Sequence, residues 1–294
     1  MTPPSLVAPA RPYRVLIDPL REPRRNLARE EALARTRPVP TLRLWRNERC
    51  VVLGRFQVSD GEVDKRACRR LGVPVYRRFT GGGAVYQDAG NLNVTLVAPR
   101  DASLFGARPE RLSVPGLYEV VLQPLAAAVR SLGIPGQARE REVVVHGRKI
   151  SGVAAWLSAG SVLVHATLLI DADLEALHRV LDGPGDPGNP RWLHTRSHRV
   201  PVTSLVREGL SANRRGAVET AVVAAFDALL LAEEGAGLAQ VGAGSRANRR
   251  EPGRPTSAEL SAESRLLAER YGRAAWHADG PGWGGGDGDG RIAS

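Results

Sequence analysis

The chain has 294 residues, of which 43% are hydrophobic, and its formal net charge is +10. This hydrophobic fraction supports a sizeable core, so disorder over most of the length is not expected, and no stretch approaches the roughly 20 apolar residues of a membrane span. The basic residues are scattered and no nucleic-acid motif is present, so we favour a basic face for an acidic protein partner over binding to nucleic acid.

Short strands and helices are predicted along the first half of the chain. Alternating or apolar segments predict strands, and helical periodicity with Pro or Gly near the ends predicts helices. The expected elements are a strand at 13–18, a helix at 23–36, strands at 41–47 and 50–56, a helix at 60–72, and strands at 73–80 and 90–99.

The second half begins with a long apolar helix and ends in a glycine-rich tail. The expected elements are a helix at 114–133, a hairpin at 141–156, a strand at 161–171, and helices at 172–181, 217–232 and 257–272. We assign residues 1–234 to one domain, 235–257 to a linker and 258–294 to a C-terminal helix with a disordered tail. Because strict βαβ alternation is absent, the expected fold is α/β of the α+β type, with a mixed, largely antiparallel sheet and flanking helices.

A glycine-rich segment, RRFTGGGAVYQDAGNLN, occupies residues 77–93. Three glycines after a strand can turn without steric cost and can place backbone N–H groups against a ligand. Arg77 and Arg78 lie on opposite faces of the strand, so at most one points into a site, where a guanidinium suits a phosphate. The segment matches neither the P-loop nor the dinucleotide pattern, so a turn without chemical importance stays open at this point.

Lysine and cysteine are both rare. Of the 41 basic residues, only Lys65 and Lys149 are lysines. A lysine that survives in an arginine-rich chain reflects either chance or a place where the compact ammonium is needed. Lys65 lies in a predicted solvated helix, which leaves Lys149 as the candidate. Cys50 and Cys68 are too few for a disulfide framework or a zinc set, so we expect a cytoplasmic protein.

Several segments together resemble the lipoate–protein ligase family. Residues 77–91 resemble its Arg-Arg-x-[Ser/Thr]-Gly-Gly-Gly-Ala-Val-x-His-Asp-x-Gly-Asn motif, and GRKISG at 147–152 resembles its lysine signature. HATLLIDADL at 165–174 is similar to its His-Gly-Thr-Leu-Leu segment. Weaker matches follow in the family's order at 26–33, 42–47, 51–57 and 196–205. The resemblance covers about residues 13–232.

The resemblance implies a catalytic domain of the biotin/lipoate A/B protein ligase type, related to the class II synthetase core. Such enzymes join lipoate and ATP into lipoyl-AMP with the help of Mg²⁺. They then transfer the lipoyl group to a lysine of lipoyl domains, found in 2-oxoacid dehydrogenase complexes and in the glycine-cleavage H protein. Neither nucleic acid nor a membrane is expected as a partner.

The resemblance also implies site residues. Lys149 is the expected catalytic residue, since one ammonium can reach both the acyl carbonyl and the α-phosphate. By motif position, the residues expected to bind nucleotide or acyl group are Arg78, Thr80, Gly81, Gly82, Gly83, Ala84, Val85, Tyr86, Asp88, Asn91, Lys149, Gly152, His165 and Thr167. Asp88 and Asn91 would hold either the loop or the metal, Gly152 would admit the acyl chain, and His165 is expected to be a hydrogen-bonded sheet histidine rather than an acid–base group. No protein metal site is assigned.

Departures from the family pattern raise questions about selectivity and activation. Gln87 stands where the family usually has His, and because Gln can donate a hydrogen bond but cannot titrate, it puts a proton-transfer role at this position in question. Residues 151–156, SGVAAW, replace Ser-Gly-Ser-Ala-Gln, and Trp156 is expected to reshape the acyl tunnel. Ala166 replaces Gly, and residues 138–142, ARERE, replace Gly-Arg-Asn-Asp. The family's full small accessory domain is not apparent, so either a separate accessory chain supplies it or the protein only transfers an activated acyl group.

Two alternatives to the ligase stay open. An octanoyl or lipoyl transferase that acts without adenylation would need a cysteine near the lysine signature, and residues 131–142 contain none. A non-catalytic protein that binds lipoate or a lipoyl domain is the second alternative. A biotin ligase is less well supported, because its Gly-Arg-Gly-Arg-x-Gly loop is missing.

Overall fold

The computed structural model describes residues 13–36, 39–102, 112–182, 197, 199–230 and 250–279. Within these residues the chain forms two β-sheets. The large sheet contains, in spatial order, β11 (Arg250–Pro252), β1 (Tyr13–Ile17), β2 (Thr41–Trp45), β6 (Asn91–Pro99), β10 (Ser161–Leu169), β9 (Arg148–Leu157), β8 (Glu142–Val145) and β7 (Gln137–Arg139). The small sheet contains β4 (Val75–Arg77), β3 (Cys50–Leu53) and β5 (Val85–Gln87). Strand β1 runs parallel to β2 and β11, whereas the other strands of the large sheet pair antiparallel. The predicted mixed, largely antiparallel sheet is confirmed.

Helices flank both sheets: α1 and α4 contact strands of the large sheet, and α5 and α8 contact strands of the small sheet. In chain order they are α1 (Pro23–Arg35), α2 (Ser59–Glu62), α3 (Lys65–Arg70), α4 (Val114–Ser131), α5 (Leu174–Leu181), α6 (Ala217–Leu230), α7 (Ser257–Leu266), which continues as a π-helical turn over Leu267–Tyr271, and α8 (Ala274–Asp279). The single helix predicted at 60–72 is wrong, because the Asp64 side chain accepts the N–H groups of Arg66 and Ala67 and starts a new helix there. Over the described ranges, no helix combines the length and hydropathy that a bilayer crossing needs.

The two faces of the large sheet differ in polarity. Along β6, Leu92, Val94 and Leu96 belong to the apolar core, which also takes in residues of α4 and α6. The intervening Asn93 and Thr95 are buried on the opposite face, on the side where α1 contacts β6 and β10. One face therefore holds the core and the other holds buried polar groups close to the site.

A buried ion network lies between α1 and the polar face. The fully buried Arg43 contacts Asp18 at 2.8 Å and Glu30 at 3.3 Å, and Arg29 contacts Asp18 at 2.8 Å. Burial by itself raises the pKa of Asp18, but Arg43 and Arg29 outweigh it and hold that pKa below its ordinary value. Burial likewise opposes ionisation of Glu30, and His165 and Arg43 bring its pKa below the ordinary value.

We expect this network to make the protein acid-sensitive. Because both folded carboxyls have pKa values below the ordinary 3.8 and 4.5, the unfolded chain binds protons first as the pH falls. Their contribution to stability is complete above pH 5 and is lost as the pH falls through the folded pKa values. Urea unfolding between pH 7 and pH 3 measures this, and Glu30→Gln should flatten the pH dependence. An unchanged slope in that variant would contradict the assignment.

The C-terminal segment packs against α1. Strand β11 pairs with β1, so the predicted linker at 235–257 differs from the structure over residues 250–252, and residues 235–249 and 280–294 lie outside the described ranges. Helix α7 contributes two buried carboxylates: Glu259 contacts Arg14 at 2.6 Å and Glu263 contacts Arg29 at 2.7 Å. This segment is thus connected to the same ion network as α1.

Candidate functional site

A cavity of about 310 Å³ opens where the small sheet, the large sheet and α5 meet. It is lined by Glu62, Ala84, Val85, Tyr86, Lys149, Ser151, Gly152, Thr167, Leu169, Leu177, His178, Leu181, Asp182, Ser197, Arg199, Val200 and Val202. Ala84–Tyr86 directly follow the glycine turn (residues 78–83), and Lys149 comes from β9. The two segments singled out in the sequence therefore meet in one cavity.

An irregularity in strand pairing decides where Lys149 points. Ser151 lies opposite Val143, but Lys149 lies opposite Val144, so the register between β8 and β9 shifts by one residue between these pairs. Residues that lie opposite each other share a face of the sheet, and neighbours within a strand do not. The shift therefore places Lys149 on the face of Gly152 rather than on the face of Ser151, as a β-bulge does.

Gly152 leaves room for the lysine side chain. A Cβ at position 152 would lie 2.9 Å from Lys149 Cε and 3.0 Å from Lys149 Nζ. Glu142 lies on the same face, with its Oε2 3.6 Å from Lys149 Nζ, and the lysine side chain keeps 27% exposure. The close neighbour of Gly152 is therefore the lysine side chain, and because Gly152 also lines the cavity, its expected role in admitting the acyl chain stays a prediction.

We expect Gly152→Ala to lower activity without unfolding the protein. The added methyl group meets the flexible end of Lys149, which can move away at little cost in stability, but the ammonium is then displaced. A misplacement of about 1 Å can cost about 100-fold in rate, so we expect a 10- to 100-fold loss of the activity that the sequence resemblance implies, with an unchanged melting temperature. The matched control is Gly216→Ala, where no atom lies within 4 Å of the added Cβ. Equal activities for the two variants would contradict this role of Gly152.

The side chain of Arg78 holds the glycine turn together through hydrogen bonds. The buried guanidinium donates to the carbonyl oxygens of Gly81 at 2.6 Å and Gly83 at 2.8 Å, and its Nε donates to Thr80 Oγ1 at 2.9 Å. Gly82 has φ of 86°, in the region that favours glycine, and a Cβ there would lie 2.9 Å from Arg78 Nη2. Burial lowers the pKa of Arg78 to about 10, so it stays charged at neutral pH. In this structure Arg78 shapes the turn instead of facing the cavity as a phosphate ligand.

Thr80 and His165 also lie beneath the turn. His165 Nδ1 is 2.8 Å from Glu30 Oε2, and His165 Nε2 is 3.0 Å from Thr80 Oγ1. Because a carboxylate can only accept, Nδ1 carries the proton when the imidazole is neutral, and Nε2 then accepts the threonine hydroxyl. These contacts match the expectation of a hydrogen-bonded sheet histidine, and neither residue lines the cavity.

Ser197 closes one side of the cavity. Its Oγ accepts the N–H of Ala84 at 2.8 Å and the Nε2–H of Gln57 at 3.1 Å, and it donates to Glu62 at 2.5 Å. The Ser197 N–H also donates to Glu62, at 3.1 Å. A ligand that uses the Ala84 N–H must therefore displace the serine hydroxyl.

Asp88 and Asn91 hold the loop between β5 and β6. Asp88 accepts the N–H groups of Gly90 at 2.8 Å and Asp173 at 2.9 Å, whereas Asn91 donates to the Tyr86 carbonyl at 3.1 Å. Of the two roles considered for them, these contacts correspond to holding the loop. Neither residue lines the cavity.

Gln87 and Trp156 differ from the family pattern, and neither side chain lines the cavity. The buried Gln87 donates to Asn93 at 2.8 Å and to Thr167 at 3.2 Å, so it acts on the cavity only through Thr167. Trp156 packs edge to face on Phe79, with ring centroids 5.5 Å apart, in a small apolar cluster. Trp156 therefore lies in the core and does not line the cavity, so its position does not support the expected reshaping of an acyl tunnel.

Comparison with known protein families shows which family the chain belongs to. The family described as the lipoyl protein ligase A/B catalytic domain matches residues 22–227, which include every residue that lines the cavity. The chain belongs to this family. The resemblance inferred from the motifs is thereby confirmed.

Curated relatives of this lipoyl protein ligase A/B domain are about 30% identical to it over the aligned residues. Lipoate-protein ligase A subunit 1 of Thermoplasma acidophilum is 30% identical over 198 residues, which cover 62% of the chain and 72% of that protein. Lipoate-protein ligase LplJ of Bacillus subtilis is 30% identical over 184 residues, 62% of the chain and 53% of that protein. The chain thus spans about half the length of the Bacillus relative.

Solved structures show the same fold. A bipartite lipoate protein ligase from Thermoplasma acidophilum, studied with its E2 lipoyl domain, has a TM-score of 0.70 at 25% identity and covers 91% of this chain and 96% of its own. A lipoate-protein ligase A bound with ATP has a TM-score of 0.71 at 24% identity and covers 91% and 98%. At that identity the second likeness supports the fold alone.

Sequence reasoning about this lipoyl protein ligase A/B domain missed three polar residues of the site. Glu62 lies in the helix predicted at 60–72, Glu142 lies in the departure at 138–142, and Ser197 lies in the matched segment 196–205. None of these segments assigns its residue a role in a site. Glu62 and Ser197 contact each other between segments 135 residues apart, and Glu142 contacts Lys149 only across the folded β8–β9 hairpin. Such contacts leave no local pattern in the sequence.

Proposed function

We propose that the chain is a lipoate–protein ligase, which uses ATP to convert lipoate into lipoyl-AMP and transfers the lipoyl group to a lysine of a lipoyl domain. The observation that carries the proposal is that Lys149 lines one cavity with Ala84–Tyr86, which follow the glycine turn. A cavity that combines apolar walls with one ammonium suits a molecule with a fatty-acid-like tail and an anionic head.

In the first step a carboxylate oxygen of lipoate attacks the α-phosphorus of ATP, a mixed anhydride forms and pyrophosphate leaves. The Lys149 ammonium donates to the acyl carbonyl and to an α-phosphate oxygen, where negative charge develops. In the second step the amine of the acceptor lysine attacks the acyl carbon, a C–N bond forms and AMP leaves. Lys149 then polarises the carbonyl under attack, and the proton released from the amine passes to solvent.

The relatives support a lipoyl domain as the acceptor and a ligase formed by two chains. One relative is named as a ligase subunit, and the bipartite ligase was studied with an E2 lipoyl domain. By likeness we infer that the acceptors are lipoyl domains, as in 2-oxoacid dehydrogenase complexes or the glycine-cleavage H protein. We also infer that a separate accessory chain contributes to adenylation.

Magnesium enters this proposal with ATP. Within the described residues, no group of three or more His, Cys, Asp or Glu side chains is placed to hold a metal ion. Magnesium is commonly bound through substrate phosphates with few protein ligands, so the residues present are compatible with it. When bound, it supplies charge neutralisation to the phosphates. Because ATP is a cytoplasmic substrate, we expect the reaction to take place in the cytoplasm.

A transferase that uses a cysteine thioester is not favoured. Cys50 and Cys68 are the chain's two cysteines, both are buried, and neither lines the cavity. Burial raises the pKa of both thiols, whereas a nucleophilic cysteine needs its thiolate form. No other thiol in the chain can carry the acyl group.

The test is pyrophosphate release by the purified chain with lipoate, ATP and magnesium, together with the mass gain of a purified lipoyl domain offered lipoate and octanoate in parallel. Release that depends on lipoate supports the ligase. Labelling only from synthetic lipoyl-AMP indicates that adenylation needs the accessory chain. No labelling by either route rejects the ligase in favour of a binding protein.

A further inference from the structure

Arg77 joins three parts of the chain that are far apart in sequence. Its guanidinium is buried and donates to the carbonyl oxygens of Gly54 at 3.0 Å and Gln57 at 2.7 Å, in the loop that follows β3. The same guanidinium donates to the carbonyl oxygens of Trp276 at 3.1 Å and Ala278 at 3.1 Å. Because these last two acceptors belong to α8, one arginine ties the end of the C-terminal segment to the neighbourhood of the cavity.

Two further hydrogen bonds fasten the backbone of β4 to α8. The N–H of Arg77 donates to His277 Nδ1 at 3.1 Å, and Trp276 Nε1 donates to the Arg77 carbonyl at 2.9 Å. His277 Nε2 lies 2.8 Å from the Tyr271 carbonyl, so Nε2 carries the proton and Nδ1 is the acceptor. Both the backbone N–H and the backbone carbonyl of Arg77 are therefore held by side chains of α8.

The C-terminal segment is itself firmly attached to α1. Glu31 accepts from Arg270 at 2.5 Å and from the Tyr271 hydroxyl at 2.6 Å. Glu263 accepts from Arg29 at 2.7 Å. Helix α8 is thus anchored on the body of the fold.

The loop held by Arg77 packs directly on the glycine turn. A Cβ at Gly54 would overlap the carbonyl oxygen of Gly82, and the N–H of Arg55 donates to the Thr80 carbonyl at 2.9 Å. Gln57 in the same loop donates to Ser197, which holds the Ala84 N–H. Contacts therefore run without a gap from α8 through Arg77 and this loop to the turn and the cavity wall.

We propose that α8 is a brace that positions the glycine turn through Arg77, so that substrate affinity depends on residues 274–279, outside the region that the family model matches. The part about substrate rests on the proposed function. Arg77 and His277 are positioning residues, since neither lines the cavity. Lys149 lies on a different strand, β9, so we expect the rate of the chemical step to be unchanged.

A matched pair of variants tests the brace. His277→Asn keeps an acceptor near Nδ1 for the Arg77 N–H, whereas His277→Gln keeps a donor near Nε2 for Tyr271 and loses the bond to Arg77. Without substrates, hydrogen exchange of the amides of residues 77–84 should be about 3- to 10-fold faster in His277→Gln than in wild type, the range for one lost hydrogen bond. His277→Asn should stay close to wild type.

With lipoate, ATP and magnesium, the KM for lipoate should rise by a similar 3- to 10-fold in His277→Gln, with kcat within about twofold of wild type. Leu260→Gln, on the exposed side of α7, controls for general loosening of the segment. The brace is rejected if exchange in the turn is unchanged in His277→Gln, if His277→Asn behaves like His277→Gln, or if kcat falls at constant KM. If wild type neither releases pyrophosphate nor labels a lipoyl domain from synthetic lipoyl-AMP, the proposed function fails, while the exchange result still decides the brace.

Discussion

Lys149→Ala is expected to form lipoyl-AMP about 100- to 1000-fold more slowly than wild type, the usual cost of removing one preorganised donor from developing charge. Lys149→Arg should not restore the rate, because the planar fork is larger than an ammonium and places its hydrogens differently. The space beside Gly152 is filled by the end of the lysine side chain, which leaves little room for a guanidinium. Single-turnover formation of lipoyl-AMP, with protein in excess over ATP, measures the chemical step.

Lys65→Arg is the matched control for this experiment. Lys65 is the chain's other lysine, half exposed on α3 and paired with Asp60 at the surface. We expect its rate to stay within about twofold of wild type, since surface pairs contribute little. A Lys149→Arg variant as active as Lys65→Arg would overturn the catalytic assignment of Lys149.

Arg43→Met is expected to cause the largest loss of stability, about 3–5 kcal/mol in the free energy of unfolding. Arg43 contacts both Asp18 and Glu30 in the buried network, and methionine matches its shape without its charge. The two carboxylates then stay buried with fewer partners, which is costly in a poorly hydrated site. Urea unfolding at pH 7 measures the difference.

Arg179→Met is the control, because Arg179 forms an exposed pair with Glu175 one helical turn away. We expect its unfolding free energy to stay within about 0.5 kcal/mol of wild type. Asp18→Asn should recover part of the stability lost in Arg43→Met, since it removes one unpaired charge. Equal losses for Arg43→Met and Arg179→Met, or no recovery in the double variant, would show that the network does not carry this stability.

The sequence by itself determined the fold class and the two central segments of the site. Alternation of apolar with polar residues specifies strands with one apolar face, and this pattern is present in β6, where both faces are buried but only one contributes to the main apolar core. The glycine run marked a turn because only glycine moves freely through positive φ, as at Gly82. Lys149 could be identified as a candidate because arginine replaces lysine almost everywhere else in this chain.

Tertiary structure alone decided how these segments work together. The shift in register between β8 and β9 chooses the face on which Lys149 lies, and simple alternation would have placed it with Ser151. Arg78 has its carbonyl partners only once the turn has closed, and Arg77 meets α8 across about 200 residues of chain. A local sequence pattern predicts which face of a strand a side chain lies on. Hydrogen bonds between distant segments depend instead on the packing of the whole fold. For that reason the brace on the glycine turn could not be inferred from the motifs.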